Sequence, residues 1–343
     1  MPEILQYPIA GPSVWKGEQM AARSDWIYHL NGAELTEIDT AVQTVRREGT
    51  ELFQIGPDDF PLPTLGSRMR QLRNEVGAGR GFAVLRGLPI SNYSLDDARI
   101  LFWGLISHVG KAEGQDRKGS LMHQVTDTGK TVENSDSTRG YETNNELMFH
   151  NDGGDAFALL CVRSAKSGGN SRLISAGALF NEILARRPDL ARVVQEPFHF
   201  DSRAQNPADI KVQVVPIFNF HDGHLNVLQK RRYIETAQRF DDVPRLTTLQ
   251  IEALDLIDEI CNDPAWHLSF DMQAGDIQLG NNFALLHSRT KYQDVDDPAL
   301  RRLLLRIWMT LPNGRALPPV FAHTREFGQT YRRRLEEKLP ETA

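Results

Sequence analysis

The spacing of apolar residues divides the chain into a helical part and a part rich in strands. Residues 32–48, 64–79 and 94–110 each repeat apolar side chains at three- and four-residue intervals, which predicts three amphipathic helices. The short apolar run at 81–90 predicts a buried strand. We therefore expect residues 1–110 to form a mainly helical N-terminal support.

After residue 146 the apolar residues occur in short β-prone runs separated by turn residues. The runs are ELMFHND, AFALLCVRSA, SRLISA, DIKVQVVPIFNFHDGHLNVL, HLSFDMQAGDIQLGNN, FALLHSRTKY and RRLLLRIWMTL. Helical patterns at 176–194 and 246–262 interrupt them. Because strands and helices do not alternate regularly, residues 146–312 are expected to form an antiparallel sandwich or barrel. The predicted fold class is mostly β with flanking helices (α+β).

Two segments lack a clear apolar period. Residues 111–145 are polar and rich in Gly, Ser, Thr, Asp and Asn, which predicts a long irregular loop. Such loops are often functional, so we expect this one to form a wall or lid of an active site. Residues 313–343 are expected to form a C-terminal tail, whose last stretch, RRRLEEKLPETA, mixes both charge signs and predicts a solvated end. All parts are expected to form a single domain over residues 1–343.

Charge and composition exclude several classes of partner. The net charge is −6 without a block of Lys and Arg, so nucleic-acid binding is not expected. The sequence has no run of 18 apolar residues and no signal-peptide pattern, so we expect no membrane span. Cys161 and Cys261 lie in apolar runs and are predicted to be buried thiols of a cytoplasmic protein. No pattern indicates an oligomeric state.

Candidate chemistry begins in the stretch ELMFHNDGGD, residues 146–155. His150 and Asp152 are two positions apart, so on a strand their side chains share a face. Further along, GDIQLGNNFALLHSRTKYQD predicts a tight hairpin into a strand that carries His287. Taken alone, His150 and Asp152 are explained as the polar end of a strand, and His287 is explained as a core histidine with satisfied hydrogen bonds. Together they supply two imidazoles and one carboxylate, the set that holds Fe(II) on one face, although the same set can bind zinc.

The run RRLLLRIWMTL, residues 301–311, carries two arginines on one face of a predicted strand. Alternation places Arg302, Leu304, Arg306 and Trp308 together. A buried guanidinium needs a counter-ion, which is either an internal acid or a bound carboxylate ligand. The two arginines are roughly 13 Å apart along a strand, so we do not expect them to hold the same carboxylate end.

Other histidines and cations have simpler explanations. His221 and His224 flank Asp-Gly, which predicts a hairpin turn rather than a metal pair. His123 stands near the irregular loop and could line a substrate pocket. The cationic run at 230–232 predicts a solvated face, or one arginine turned towards an acidic substrate.

The segments FHND, GGNSRLISA, GDIQLGNNFALLHSRTKYQD and RRLLLRIW resemble, in order and spacing, a known family. It is the iron(II)/2-oxoglutarate-dependent dioxygenases of the taurine dioxygenase (TauD/TfdA) group. The resemblance covers about residues 140–312, and the opening GPSVWKGEQM also looks like that of members. It implies a double-stranded β-helix, a cupin-like jelly-roll barrel, in residues 146–312. It also implies that Fe(II), 2-oxoglutarate and O₂ are required.

The resemblance further implies roles for individual residues. His150, Asp152 and His287 would bind Fe(II), and Arg302 would bind 2-oxoglutarate. Ser171 would assist Arg302, because it stands where the family often has a threonine with the same hydroxyl group.

Four more residues match family positions. Arg306 stands where some members bind an acidic group of the substrate, and the alternative is internal pairing within the barrel. Asn281, Asn282 and Arg289 are assigned to loop hydrogen bonds and internal pairing. The carboxylate of Asp152 argues against halogenation, because halogenating relatives lack it.

The expected activity is oxidation of an unactivated C–H bond by hydroxylation, desaturation or cyclisation, with release of succinate and CO₂. The expected substrate is a small organic molecule that is carboxylate-bearing, amino-acid-like or a secondary metabolite. A zinc hydrolase and a metal-binding barrel without turnover are the alternatives. A hydrolase has no need of a dicarboxylate clamp at Arg302 and Ser171, which favours the dioxygenase.

Overall fold

The helices and strands follow most of the predicted patterns in the computed structural model, which describes residues 4–129, 140–206, 210–312 and 314–338. The α-helices are α1 (Gly17–Ala21), α2 (Gly32–Glu48), α3 (Leu65–Gly77), α4 (Leu95–Ser107), α5 (Ala176–Arg186), α6 (Pro188–Val193), α7 (Arg231–Ala237), α8 (Thr248–Asn262) and α9 (Gly328–Lys338). The strands are β1 (Ile27–His29), β2 (Phe82–Arg86), β3 (Lys111–Glu113), β4 (His123–Val125), β5 (Leu147–His150), β6 (Ala156–Arg163), β7 (Ser167–Gly168), β8 (Ser171–Ser175), β9 (Pro197–Asp201), β10 (Val212–Pro216), β11 (Phe218–His221), β12 (His224–Val227), β13 (His267–Phe270), β14 (Ile277–Asn281), β15 (Leu285–Arg289), β16 (Tyr292–Gln293) and β17 (Leu303–Thr310).

Helices α2, α3, α4 and α8 confirm four predicted helical patterns. Asn31 caps α2: its side chain accepts from the backbone N–H of Glu34, whose carboxylate accepts in return from the Asn31 N–H. Ser94 caps α4 through the N–H of Asp97. The pattern predicted as one helix at 176–194 is divided into α5 and α6, because Pro188 has no N–H and begins a new helix.

Two sheets form the centre of the molecule. The larger has the order β1-β2-β14-β6-β17-β3, with β4 also paired to β17, and the smaller has the order β13-β8-β15-β5. Phe82 and Phe157 of the larger sheet and Leu173 and Leu285 of the smaller sheet belong to one buried cluster between them. The two sheets therefore pack through apolar inner faces.

Helices cover the outer faces of both sheets. Side chains of α2, α3 and α4 pack against β6 and β17, with Leu101 and Ile307 both fully buried. Helices α5, α6 and α8 pack against β8 and β15 around Ile174 and Leu286. Helices of the N-terminal part thus cover the larger sheet.

The hairpin predicted before His287 is wrong. Strand β14 pairs with β2 and β6 in the larger sheet, whereas β15 pairs with β5 and β8 in the smaller one. The short connection at residues 282–284 therefore carries the chain from one sheet to the other. Both edges of β14 are already occupied, so no edge is left for β15.

The segment at 111–145 is not wholly irregular. Its described part contains β3 and β4, which both pair antiparallel with β17. Because β17 is far away in the chain, the local spacing of apolar residues does not predict β3 and β4. Residues 130–139 of the predicted loop lie outside the described residues.

In the described part of the C-terminal tail, the predicted solvated end is exposed at Arg332, Leu335 and Glu336 but not at Arg334. The residues before it contribute to the core. Phe321 and Phe327 are fully buried, and the ring of Phe327 lies 4.6 Å from that of Phe283. Helix α9 follows, and its Arg334 forms a buried ion pair with Asp155. Residues 339–343 lie outside the described part.

The prediction that both cysteines are buried thiols is confirmed. Both cysteines lie in the described part, Cys161 on β6 and Cys261 on α8, and each is buried with a free thiol. Among the described residues, no helix combines the length and the apolar character needed to cross a membrane.

Candidate active site

Three predicted ligands meet at one end of the smaller sheet. His150 ends β5 directly opposite His287 on β15, and the two Nε2 atoms are 3.1 Å apart. Asp152 follows two residues after His150, with Oδ2 3.7 Å from Nε2 of His287. One ligand atom from each residue lies within 4.8 Å of the other two. The structure thus brings two imidazoles and one carboxylate into a single cluster that can hold a metal ion.

A tight turn after β5 positions Asp152. Its backbone N–H donates to Oδ1 of Asn282 at 3.1 Å, and Nδ2 of Asn282 donates to the carbonyl of Gly153 at 2.7 Å. A Cβ atom on Gly153 would lie 2.5 Å from the ring of Trp308, and Gly154 has φ +75°. Glycine is therefore required at both positions for the carboxylate to reach the histidines.

The protonation of the cluster suits a cation. Nδ1 of His150 lies 2.8 Å from the carbonyl of Met148 and donates to it, so its Nε2 carries the lone pair. Burial, together with the neighbouring His150, lowers the pKa of His287 to about 3, and burial also lowers the pKa of His150. Burial opposes ionisation of Asp152, but Arg306 and the two imidazoles hold its pKa below the usual value. Two neutral imidazoles and a carboxylate make the set that binds Fe(II) on one face.

Arg306 forms an ion pair inside the site. Its Nη1 lies 3.0 Å from Oδ1 of Asp152, and its Nε donates to Oε1 of Gln115 at 2.8 Å. The guanidinium lies between the rings of Tyr141 and Trp308, at 4.8 and 4.9 Å from their centroids. Arg306 is thus paired with an internal acid in this structure, and its contact with a substrate stays a prediction.

Arg302 and Ser171 line the cavity beside the cluster. Arg302 immediately precedes β17, and Ser171 is the first residue of β8. The Ser171 hydroxyl donates to Oε1 of Gln278 at 2.7 Å. Arg302 is only 5% exposed, and its Nη1 has no hydrogen-bond partner among the described residues. Its guanidinium carbon lies 5.0 Å from the centroid of Tyr292, and burial lowers its pKa. A buried guanidinium without a counter-ion is costly, so this part of the cavity suits an anion.

The cavity has a volume of about 190 Å³ and a strongly cationic lining. Asp152 is the one carboxylate residue among the described residues that line it. The cationic side chains in its wall are Lys230, Arg231, Arg232, Arg289, Arg302, Arg306 and Arg325. The predicted alternation on β17 is confirmed, because Arg302, Leu304, Arg306 and Trp308 all line this cavity.

The cationic run at 230–232 lies at the cavity wall, so the alternative of an arginine turned towards an acidic substrate stays a prediction. Lys230 is 8% exposed, and its Nζ donates to the buried carboxylate of Glu326 at 2.7 Å, so the predicted solvated face is wrong there. Helix α7 begins at Arg231 and buries Ile234 and Ala237. That apolar spacing was the signal in the sequence that one face of this segment is covered.

Two minor predictions concern other histidines. Asp222 and Gly223 form the tight turn that joins β11 to β12, which confirms the hairpin. His123 lies 3.1 Å from the carboxylate of Asp116 and 3.3 Å from the hydroxyl of Tyr141. Tyr141 lines the cavity, so His123 lies behind its wall.

The profile of the Taurine catabolism dioxygenase TauD, TfdA family matches residues 47–308. The chain belongs to this family. Members are dioxygenases that use Fe(II), 2-oxoglutarate and O₂, and this chain is one of them. The predicted family, enzyme class and cofactors are thereby confirmed.

Two known proteins are similar in sequence to this TauD-family chain over most of its length. FR-33289 synthase of Streptomyces rubellomurinus (strain ATCC 31215) is 32% identical over 93% of this chain and 95% of its own length. The taurine hydroxylase-like protein SAT17 of Stachybotrys chartarum (strain CBS 109288 / IBT 7711) is 30% identical over 85% of this chain and 77% of its own.

Solved structures share the fold of this TauD-family chain. Asparagine oxygenase, in complex with Fe(II), 3-hydroxyasparagine and succinate, superposes with a TM-score of 0.64, covering 83% of this chain and 93% of its own at 15% identity. The non-haem iron oxygenase OrfP, in complex with Fe and α-ketoglutaric acid, gives a TM-score of 0.61 over 83% and 94% at 15% identity. At this identity the likeness concerns the fold.

Proposed function

We propose that this protein hydroxylates an unactivated C–H bond of a small organic molecule that carries an acidic group. The observation that supports it best is the His150, Asp152 and His287 cluster beside a buried guanidinium, that of Arg302, which lacks an anion. The balanced reaction is R–H + 2-oxoglutarate + O₂ → R–OH + succinate + CO₂. Desaturation or ring formation would use the same residues.

In this proposal the three clustered side chains hold Fe(II) through the two Nε2 atoms and the carboxylate. The bound metal supplies activation of O₂ together with the 2-oxo acid. The Met148 carbonyl fixes the tautomer of His150, and burial keeps both imidazoles neutral. As a metal ligand, the carboxylate of Asp152 would take the position that a halide needs, which favours oxygen transfer over halogenation.

Arg302 and Ser171 are proposed to hold the distal carboxylate of 2-oxoglutarate. Arg302 offers its partnerless Nη1, and Ser171 offers a hydroxyl that is now directed to Gln278. A carboxylate at this position would supply the counter-ion that Arg302 lacks among the described residues. A zinc hydrolase would leave that cation without explanation.

The far wall of the cavity is proposed to bind the substrate. Lys230, Arg325 and Arg306 share two carboxylates there, Glu326 and Asp152, so positive charge remains in excess. This balance favours a substrate with a carboxylate or a similar acidic group, including an amino acid. The names of asparagine oxygenase and of the OrfP complexes with hydroxyarginine are consistent with an amino-acid-like substrate.

Two structural predictions belong with this proposal. The facing sheets and the fold shared with asparagine oxygenase support a double-stranded β-helix, the jelly-roll barrel predicted from the sequence. Tyr141, from the described part of the 111–145 loop, lines the cavity, which supports a role of that loop in the substrate wall.

An anaerobic titration tests the proposal. Fe(II) followed by 2-oxoglutarate should give a weak visible charge-transfer band, and a true substrate should change its shape. Admission of O₂ should then release one succinate for each molecule of product. The variant R302M should lose the band at concentrations that saturate the wild type. Absence of the band in wild-type protein that holds one Fe(II) would refute the assignment.

A further inference from the structure

Arg289 lies in the same part of the cavity as the proposed co-substrate residues. It is directly opposite Ser171 in the antiparallel register of β15 and β8. It is also two positions after His287, so both side chains face the inside of the smaller sheet. Arg289 is 6% exposed and lines the cavity together with Ser171 and Arg302.

Only part of the Arg289 guanidinium is hydrogen-bonded within the described residues. Its Nη2 donates to the carbonyl of Thr143 at 3.0 Å and to that of Asn145. Its Nε and Nη1 are buried and have no partner within the part of the chain that the structure describes. A guanidinium carries five N–H donors, so three of them are left without an acceptor here.

Arg302 likewise has a buried nitrogen, Nη1, without a partner among the described residues, and it lies near the same aromatic ring as Arg289. The guanidinium carbons of Arg289 and Arg302 lie 4.6 and 5.0 Å from the centroid of Tyr292. No carboxylate of the described residues forms an ion pair with either arginine. Two buried like charges without a counter-ion are unfavourable, so the arrangement calls for an anion that accepts from both.

Resting on the function proposed above, the geometry points to Arg289 as a second guanidinium that binds the distal carboxylate of 2-oxoglutarate together with Arg302. One carboxylate offers about four acceptor positions, enough for Arg302, Arg289 and the Ser171 hydroxyl. The assignment of Arg289 to internal pairing accounts for its Nη2 only. Arg289 would thus help the enzyme distinguish 2-oxoglutarate from 2-oxo acids that lack the distal carboxylate.

The test compares two ligands that chelate iron alike. 2-Oxobutanoate has the same 2-oxo acid end as 2-oxoglutarate but no distal carboxylate. Both are titrated anaerobically into the full-length Fe(II) protein, and the charge-transfer band gives each Kd without turnover. The variant R289M should weaken 2-oxoglutarate binding on the order of 10- to 100-fold, because it removes charge-assisted hydrogen bonds. It should leave the Kd of 2-oxobutanoate within about twofold, since that ligand makes no such bonds.

Matched variants separate the possible failures. Arg172 stands beside Ser171 on the opposite face, where it bonds to Ser288 and Glu146, so R172M should leave the ratio of the two Kd values unchanged. Equal weakening of both ligands in R289M would mean that Arg289 acts through the fold, which overturns the inference. The variant R289K keeps the charge and should fall between wild type and R289M; it also serves if R289M does not fold.

The variant R302M distinguishes this inference from the proposed function. If R302M loses selectivity for 2-oxoglutarate and R289M does not, Arg289 has no role in binding and the proposed function stands. If R302M keeps full selectivity, the proposed binding site itself is wrong. Loss of selectivity for 2-oxoglutarate in both R302M and R289M supports binding of the distal carboxylate by the two arginines together.

Discussion

The buried ion pair of Lys230 and Glu326 gives a quantitative prediction about stability. Lys230 Nζ donates to Oε1 of Glu326 at 2.7 Å, and Gln213 Nε2 donates to Oε2 at 2.7 Å. Both charged side chains are at most 8% exposed, and Arg325 lies 3.8 Å from the same carboxylate. Burial alone would raise the pKa of Glu326, but Lys230 and Arg325 lower it to about 2, from an ordinary value of 4.5.

This difference in pKa sets both the size and the sign of the effect. Because the folded-state pKa of Glu326 is below its unfolded value, the ionised carboxylate stabilises the fold above pH 4.5. At about 1.36 kcal/mol for each pH unit, the full contribution is about 3 kcal/mol, and it is lost as the pH falls towards 2. Removal of one partner of a buried pair costs about 3–5 kcal/mol, which agrees. For a chain of 343 residues, 3 kcal/mol corresponds to about 4 °C in Tm.

The variant E326Q, followed by calorimetry at a fixed scan rate, tests this reasoning. Its Tm should be about 4 °C below that of the wild type at pH 7. The part of this Tm difference that depends on pH should fall by pH 3 to roughly two-fifths of its value at pH 7. The variant K230M controls for the other charge, and the double variant should lose less than the sum of the two single losses. A gap that stays constant from pH 7 to pH 3, or strictly additive losses, would show that the pair is not coupled as described.

Two further predictions concern glycine and cysteine. G154A should lower the free energy of unfolding by about 3 kcal/mol, because φ is +75° and the new Cβ would lie 2.8 Å from the Met309 carbonyl. The control G119A has a similar φ of +73° but no described atom within 4 Å, so it should cost only about 1 kcal/mol. Equal losses for the two variants in a denaturant titration would contradict the predicted clash at Gly154. Burial raises the pKa of Cys161 to about 12 and that of Cys261 well above its ordinary value, so neither thiol should react with a disulfide reagent at pH 8 until the protein unfolds.

Alternation along single strands was enough to predict much of the site. The two-residue period placed His150 with Asp152, and it placed Arg302, just before β17, on the same side as Arg306. The helices were predictable for a similar reason, because their caps and apolar spacing are local. These features depend on residues a few positions apart, so the sequence displays them directly.

Pairing between distant strands was not predictable in the same way. Nothing near residue 284 distinguishes a hairpin from a crossing between sheets, because the choice depends on β2 and β6 occupying both edges of β14. Strands β3 and β4 likewise exist through their pairing with β17. The ion pair between Arg306 and Asp152 joins residues 154 positions apart, and no local pattern marks it.

The two halves of the cavity therefore differ in origin. The proposed iron and 2-oxoglutarate residues lie on or next to paired strands, whose register fixes His150 opposite His287 and Ser171 opposite Arg289. The proposed substrate wall instead comes from connections outside the sheets, including Tyr141, Lys230 and Arg325. Connections tolerate change better than paired strands do. Relatives that share the first half can therefore differ in the second, so the strands identify the chemistry and the connecting segments must be tested for the substrate.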